Sequence, residues 1–187
     1  SLVIVVLGQP RVCDVGAGSI DHLKHRHIAV PIFLASFYGL RRSELLGLRW
    51  SSINFETGWL QIDTTVVREK NGDRILAVVR ENTTKTSCSR RSLPLCQYSY
   101  QYFWNLRQKQ LAQMSLCGTS YDPRYTDLVC VDDLGTLLQP DYVSQKFQKV
   151  LEKYQLRRIR FHDLRHSCAT IMLYLGYSLK DIQTWLG

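Results

Sequence analysis

The sequence predicts a mainly α-helical protein with a small antiparallel β-sheet, which is an α+β fold. Apolar residues recur at helical spacing near the start and near the end of residues 28–187. Between them, residues 59–95 contain alternating or β-branched segments and a strong hairpin turn, Asn71-Gly72. Strands joined by such tight turns pair antiparallel, so we expect a small sheet inserted in a helical protein.

The first predicted element is a buried helix over residues 28–38, which are almost wholly apolar. Pro31 is tolerated there because it falls in the expected first turn. Gly39 is expected to end the helix, since glycine readily adopts the left-handed conformation that follows many helices. Ser43 is expected to cap a second, short helix over residues 44–48.

The predicted strands are segments of alternating or β-branched residues around the hairpin turn. They cover residues 59–63, 64–67, 75–79 and 92–95, with one more short strand over residues 128–131.

The remaining predicted elements are helices with an apolar face or a recognisable boundary residue. They cover residues 98–114, 140–154 and 163–175, followed by a last helix after Ser178. Pro140 fits a first helical turn, and Gly176 ends the helix before it. Ser178 with Asp181 three residues later resembles a capping box in which Asp replaces the usual Glu.

The N-terminal segment differs in character from the rest of the chain. Glycines and a proline punctuate much of it as loop. His22, His25 and His27 stand among basic residues, and a solvated basic stretch explains them better than a metal site. We therefore predict an atypical segment over residues 1–27 and one domain over residues 28–187.

Positive charge is concentrated in three short windows. The formal net charge of +8 is accounted for by residues 40–50, 85–91 and 156–166 together. Such concentrated charge is typical of proteins that bind nucleic acid. The alternative is a basic protein without an anionic partner.

Composition narrows the class of protein. With 45% hydrophobic and 21% charged residues, the chain is globular and not intrinsically disordered. Its six cysteines form no C-x-x-C pair and are expected to be reduced thiols of a cytoplasmic protein. The apolar run over residues 2–7 is far shorter than the ~20 residues that a bilayer crossing needs, so no membrane partner is expected.

The segment His162-Asp-Leu-Arg-His166 carries chemistry. His162 and Arg165 share one face of a helix start, where unpaired N–H groups also attract anions. His162 and His166 have the i,i+4 spacing of a zinc-binding helix, so a zinc hydrolase is a remote alternative. No third ligand stands out, and Arg165 would repel a cation, so we expect no metal.

Four segments, taken in order, carry the most specific signal. They are Gly-Leu-Arg-Arg-Ser-Glu from residue 39, Lys-Thr-Ser-Cys-Ser-Arg-Arg-Ser-Leu-Pro-Leu from residue 85, Phe-His-Asp-Leu-Arg-His from residue 161 and Ile-Gln-Thr-Trp-Leu-Gly from residue 182. Over residues 28–187 they resemble the catalytic domain of the tyrosine recombinases, the phage integrase family. The resemblance implies an integrase-type catalytic core, the DNA breaking-rejoining enzyme fold.

The resemblance also implies roles for five residues. Arg41 and Arg165 match two arginines that clamp the reacting phosphate, and Glu44 matches the acidic residue that supports the first. Lys85 matches the general acid for the leaving 5′-hydroxyl, and His162 matches the histidine that handles protons near the nucleophile. Without the resemblance, Arg41 and Glu44 would indicate only a surface ion pair.

Guanidinium groups suit the clamping role, because they bind phosphate oxygens bidentately and stay charged. They supply the positive charge, so no cofactor is expected. Further candidate contacts to DNA phosphates are Arg42, Arg90, Arg91 and His166. Each of these four is also explained as a solvated surface residue.

The resemblance implies that the intact protein cuts one DNA strand through a 3′-phosphotyrosine link and rejoins it to another. The expected partners are double-stranded DNA and other recombinase protomers, a tetramer in the intact family, in the cytoplasmic nucleoid. In the family, the Leu-Gly of the last segment precedes a His or Trp and then the nucleophilic Tyr. The sequence is thus expected to be truncated before both, and a non-cleaving DNA-binding fragment is the second hypothesis.

Overall fold

The computed structural model describes residues 26–71, 74–81 and 90–187, and these form six α-helices and five β-strands. The helices are α1 (Arg26–Phe37), α2 (Arg42–Gly47), α3 (Gln97–Cys117), α4 (Pro140–Lys153), α5 (Asp163–Tyr174) and α6 (Leu179–Leu186). The strands are β1 (Ile53–Asn54), β2 (Trp59–Ile62), β3 (Thr64–Asn71), β4 (Arg74–Glu81) and β5 (Arg91–Pro94). The predicted mainly helical fold with antiparallel strands is confirmed.

The described residues divide into two compact units. One contains α1, α4, α5 and α6 together with the described residues up to Leu45, and we call it the helical unit. The other contains Leu46–Leu138, with the five strands and α3.

Helix α1 is the centre of the helical unit. Most of its apolar side chains are buried, as expected for a helix without a polar face, whereas Phe37 at its end is exposed. Helices α4 and α5 both pack against it. Because α1 begins at Arg26, Pro31 lies inside the helix and not in its first turn, which corrects the prediction.

Helices α4 and α6 show the amphipathic pattern and the cap that the sequence predicts. Helix α4 buries Val143, Phe147, Val150 and Leu151. The Ser178 hydroxyl donates to Asp181 Oδ2 at 2.6 Å and accepts from the Asp181 backbone N–H at 3.1 Å. The capping arrangement that opens α6 is confirmed.

The strands of the second unit form two antiparallel sheets. One has the order β1-β2-β5, and the other is the β3-β4 hairpin, which pairs as far as Asn71↔Arg74. Strand β1 was not predicted, because two residues carry no readable alternation. The predicted strand over residues 128–131 is wrong: Leu128 and Val131 form only isolated bridges, and the Val129 N–H donates to the Leu48 carbonyl.

Helix α3 runs longer than the predicted residues 98–114 and buries Ser99 and Phe103. Among the described residues, none of the helices combines the length and the hydropathy that a bilayer crossing requires. Cysteines 96, 117, 130 and 168 are all free thiols.

Candidate active site

The site begins at the turn between α1 and α2. Gly39 has a φ of +66°, which places it in the left-handed region, as its predicted helix-ending role requires. A Cβ atom on this residue would lie 2.3 Å from Leu186 Cδ2 and 3.3 Å from Cys168 Sγ. Glycine is therefore needed for both the backbone conformation and the close packing of α5 and α6.

Glu44 is a buried carboxylate in the first turn of α2, with 2% of its side chain exposed. Its Oε2 accepts a hydrogen bond from the Arg41 backbone N–H at 2.9 Å, and its Oε1 accepts one from Arg41 Nη1 at 2.7 Å. A glutamate that reaches back to the residue before a helix is half of a capping box. The predicted cap at Ser43 is wrong, because α2 already begins at Arg42.

Arg165, in the first turn of α5, forms an ion pair with the same Glu44 carboxylate. Its Nη1 donates to the Gly39 carbonyl at 2.7 Å and lies 4.0 Å from Glu44 Oε2. Its side chain is 11% exposed, whereas that of Arg41 is 41% exposed. The structure thus brings Arg41, Glu44 and Arg165 together, and we call these three residues the clamp.

His162 directly precedes α5, and its ring meets that of His166 edge-on at 5.0 Å between centroids. Partial burial, followed by the positive charges of His166 and Arg165, lowers the pKa of His162. The imidazole is therefore held neutral near pH 7, the form that accepts a proton. This state fits a residue that handles protons at a phosphate.

The clamp does not include the other predicted site residues. Arg42 donates to Ser144 Oγ at 2.6 Å and to the Pro140 carbonyl at 3.3 Å, so its side chain holds the first turns of α4. Arg90 and Arg91 lie at the start of β5 in the second unit. Lys85 lies outside the described residues.

Trp185 is a site-supporting residue to which sequence reasoning assigned no role. Its ring stacks on that of Tyr38 at 6.1 Å between centroids, and its Nε1 donates to the Tyr38 carbonyl at 3.1 Å. Tyr38 is fully buried. These contacts fix α6 beside the Gly39 turn that carries the clamp. In the sequence, this role is indicated only by the presence of Trp185 in the last of the four family-like segments.

Within residues 26–71, 74–81 and 90–187, no group of three or more His, Cys, Asp or Glu side chains could hold a metal ion. The His162–His166 pair therefore has no third ligand in this part of the chain, and nothing there favours a zinc hydrolase.

Comparisons with known proteins agree on one family. The model of the phage integrase family matches residues 19–187. A protein described as tyrosine recombinase XerC-like, from Caldanaerobacter subterraneus subsp. tengcongensis, is 27% identical over 173 residues, covering 89% of this chain and 44% of that protein. The chain thus spans less than half the length of this curated relative.

Solved structures show the same fold. The Tn1549 transposon integrase in complex with circular intermediate DNA matches with a TM-score of 0.70 at 22% identity, covering 90% of this chain and 53% of that one. The lambda integrase catalytic core matches with a TM-score of 0.58 at 17% identity, covering 87% of this chain and 80% of that one.

Proposed function

Because the chain belongs to the phage integrase family, we propose that it serves site-specific recombination of double-stranded DNA. Two of the proteins that it resembles in fold, the Tn1549 integrase and the XerH recombinase, were solved bound to DNA substrates. The net charge of +8 supports the same partner. The reaction is strand cleavage and rejoining through a 3′-phosphotyrosine link, in the service of a mobile element.

The observation that carries this proposal is the buried Glu44 carboxylate between two arginines. Attack on a phosphodiester builds negative charge on its non-bridging oxygens. Glu44 fixes Arg41 and Arg165 before the substrate arrives, so little reorganisation is needed when that charge develops. Removing one such preorganised donor typically costs about 3–4 kcal/mol of transition-state stabilisation.

The proton transfers are assigned to His162 and Lys85. The tyrosine oxygen attacks phosphorus and loses its proton to the neutral His162 imidazole, while the bond from phosphorus to O5′ breaks. Lys85 gives its proton to the leaving O5′. One phosphate ester replaces another, so no ATP is consumed. The family resemblance assigns no residue of this chain as the nucleophile.

The family resemblance further supports other recombinase protomers on the same DNA as partners, and the nucleoid of the cytoplasm as the place of action. Insertion, excision and resolution use the same chemistry, and we assign the chain to this group of reactions as a whole.

Two experiments test the proposal. The affinity of the 187-residue chain for duplex DNA is expected to fall steeply with rising salt, and a flat profile would contradict DNA binding. On a nicked suicide duplex, only a version containing the family's nucleophilic tyrosine is expected to form a denaturant-resistant adduct. An adduct with the 187-residue chain itself would show that one of its residues is the nucleophile, which the family resemblance does not assign. The exposed Tyr174 and Tyr177 would then be the residues to test.

A further inference from the structure

The loop that connects α4 to α5 carries three arginines within four residues, Arg157, Arg158 and Arg160. We call residues 156–160 the arginine loop. The chain enters it through Gln155, which has a φ of +51°. The Gln155 N–H donates to the Glu152 carbonyl at 3.1 Å, and the Leu156 N–H donates to the Leu151 carbonyl at 2.8 Å. This pair of bonds is a Schellman motif, so the path of the chain into the loop is defined.

A single amide side chain on α4 holds the loop. Gln148 Nε2 donates to the Ile159 carbonyl at 2.7 Å, and Gln148 Oε1 accepts from Arg158 Nε at 3.3 Å. Gln148 therefore fixes both the loop backbone and the near end of one guanidinium group. The bond from Nε uses one of the five N–H donors of the Arg158 guanidinium group, and the other four lie on its two terminal nitrogens.

Arg160 differs from its two neighbours, because its charge is compensated. Its backbone N–H donates to Asp163 Oδ2 at 2.8 Å, and its Nη2 donates to Asp163 Oδ1 at 3.0 Å. Asp163 is the first residue of α5. No described carboxylate lies within ion-pair distance of Arg157 or Arg158, both of which are exposed. The uncompensated charge of the loop therefore rests on these two arginines.

These groups line an open pocket of about 310 Å³, formed by Gln148, Arg157, Arg158, Ile159, Arg160 and Asp163. Guanidinium groups and amides are good donors to phosphate oxygens. The one carboxylate of the pocket is already bonded to Arg160, which limits its repulsion of an anion. The pocket therefore suits a phosphate.

The loop also lies close in sequence to His162, the residue that precedes α5. Arg158 precedes His162 by four residues, which limits the distance between their Cα atoms to about 14 Å. Successive phosphates of one DNA strand advance by about 3.4 Å along the helix axis. A strand whose reacting phosphate lies beside His162 thus has another phosphate within reach of the arginine loop, a few nucleotides away.

We propose that Arg157 and Arg158 form a second phosphate subsite, which binds a backbone phosphate of the DNA strand a few nucleotides from the one that reacts. This subsite rests on the proposed function, since it takes the same DNA. It contributes affinity and register, whereas the clamp contributes to the chemical step. Gln148 is its positioning residue.

The test is the salt dependence of binding to a fluorescent duplex, measured for the 187-residue chain and for R157A/R158A. The slope of log K against log salt is negative, and each lost phosphate contact makes it shallower by about 0.9. We therefore expect R157A/R158A to reduce the magnitude of the slope by about 1 to 2. The matched control is K149A/K180A, which removes two exposed positive charges from α4 and α6 and is expected to keep the wild-type slope.

A neutral substitution separates positioning from charge. We expect Q148A to weaken binding with no change in net charge, and to have no further effect in the R157A/R158A background. If the wild-type slope is steep and R157A/R158A behaves as K149A/K180A does, the subsite is refuted while DNA binding stands. If the wild-type slope is itself flat, the proposed function fails first. An acidic protein that binds the loop with DNA binding unchanged would also overturn the subsite.

Discussion

The helical unit holds two groups of arginines that differ in what surrounds their charges. In the clamp, Arg41 and Arg165 share a carboxylate that is 2% exposed, and Arg165 is itself nearly buried. In the arginine loop, Arg157 and Arg158 are exposed, and one neutral amide holds the loop in place. Burial with charge-assisted hydrogen bonds fixes the direction of a guanidinium group, whereas exposure leaves mainly its charge. We infer that the first group serves chemistry and the second serves affinity.

The largest effect is expected at the carboxylate of the clamp. E44A removes the carboxylate that accepts from the Arg41 backbone N–H and that pairs with the charge of the nearly buried Arg165, so we expect a loss of about 2–3 kcal/mol of unfolding free energy. The control is E152A, an exposed glutamate of α4, for which we expect a change within about 0.5 kcal/mol. Urea denaturation measures both, and equal losses would show that Glu44 is an ordinary surface residue.

The turn that carries the clamp is the next most sensitive point. G39A combines a positive φ with a Cβ atom that would overlap Leu186, and we expect it to cost about 2 kcal/mol of unfolding free energy. Gly58 also has a positive φ, of +71°, but its Cβ position is open, so G58A isolates the backbone cost of about 1 kcal/mol. If the two variants lose the same stability, the packing of α6 against this turn does not constrain it.

A substitution at the entry to the arginine loop is expected to stabilise the protein, whereas E44A and G39A destabilise it. Gln155 occupies the left-handed conformation, which favours glycine, so Q155G is expected to raise the unfolding free energy by about 0.5–1 kcal/mol. The control is Q145G, the same substitution on the exposed face of α4, which should destabilise the helix by about 1 kcal/mol. Thermal or urea unfolding distinguishes them, and a destabilising Q155G would contradict the motif.

The smallest effect is a pH dependence at His162, which stands between the two groups. Because its pKa is lowered in the folded protein, the unfolded chain binds more protons as the pH falls through the ordinary histidine range. The contribution of His162 to stability is therefore fully present above a pH of about 6.5 and is lost as the pH falls towards its folded pKa. An NMR titration should place its midpoint below that of an unfolded reference peptide, and H166Q should move it upward. A midpoint at or above the reference would contradict the environment described.

Local signals in the sequence predicted much of the fold. Gly39 and the Ser178–Asp181 cap are set by residues within a few positions, so their chemistry is readable from the chain. The start of α2 was predicted wrongly, because the Glu44 side chain reaches back to the Arg41 backbone N–H, which places the N-cap at Arg41 and not at Ser43. The sequence does not display the burial of Glu44, which accompanies that bond.

The site was predictable as a set of residues but not as a geometry. The resemblance selected Arg41, Glu44 and Arg165, yet the contact from Arg165 to the Gly39 carbonyl spans 126 positions and depends on the packing of α5 on α1. The charge of residues 156–166 was visible in the sequence, whereas the role of Gln148 was not. A left-handed Gln155 has no sequence signature, and without that turn the loop would not return to α4.

The most direct test of the central claim is single-turnover cleavage of a nicked suicide duplex by a version of the protein that contains the nucleophilic tyrosine. At saturating protein, we expect R41A and R165A to form the covalent adduct at least about a hundredfold more slowly than wild type with similar DNA affinity. R157A/R158A should need more protein to saturate but then cleave at the wild-type rate. Clamp variants that cleave at the wild-type rate, or loop variants that stay slow at saturation, would contradict the division of labour between the two arginine groups.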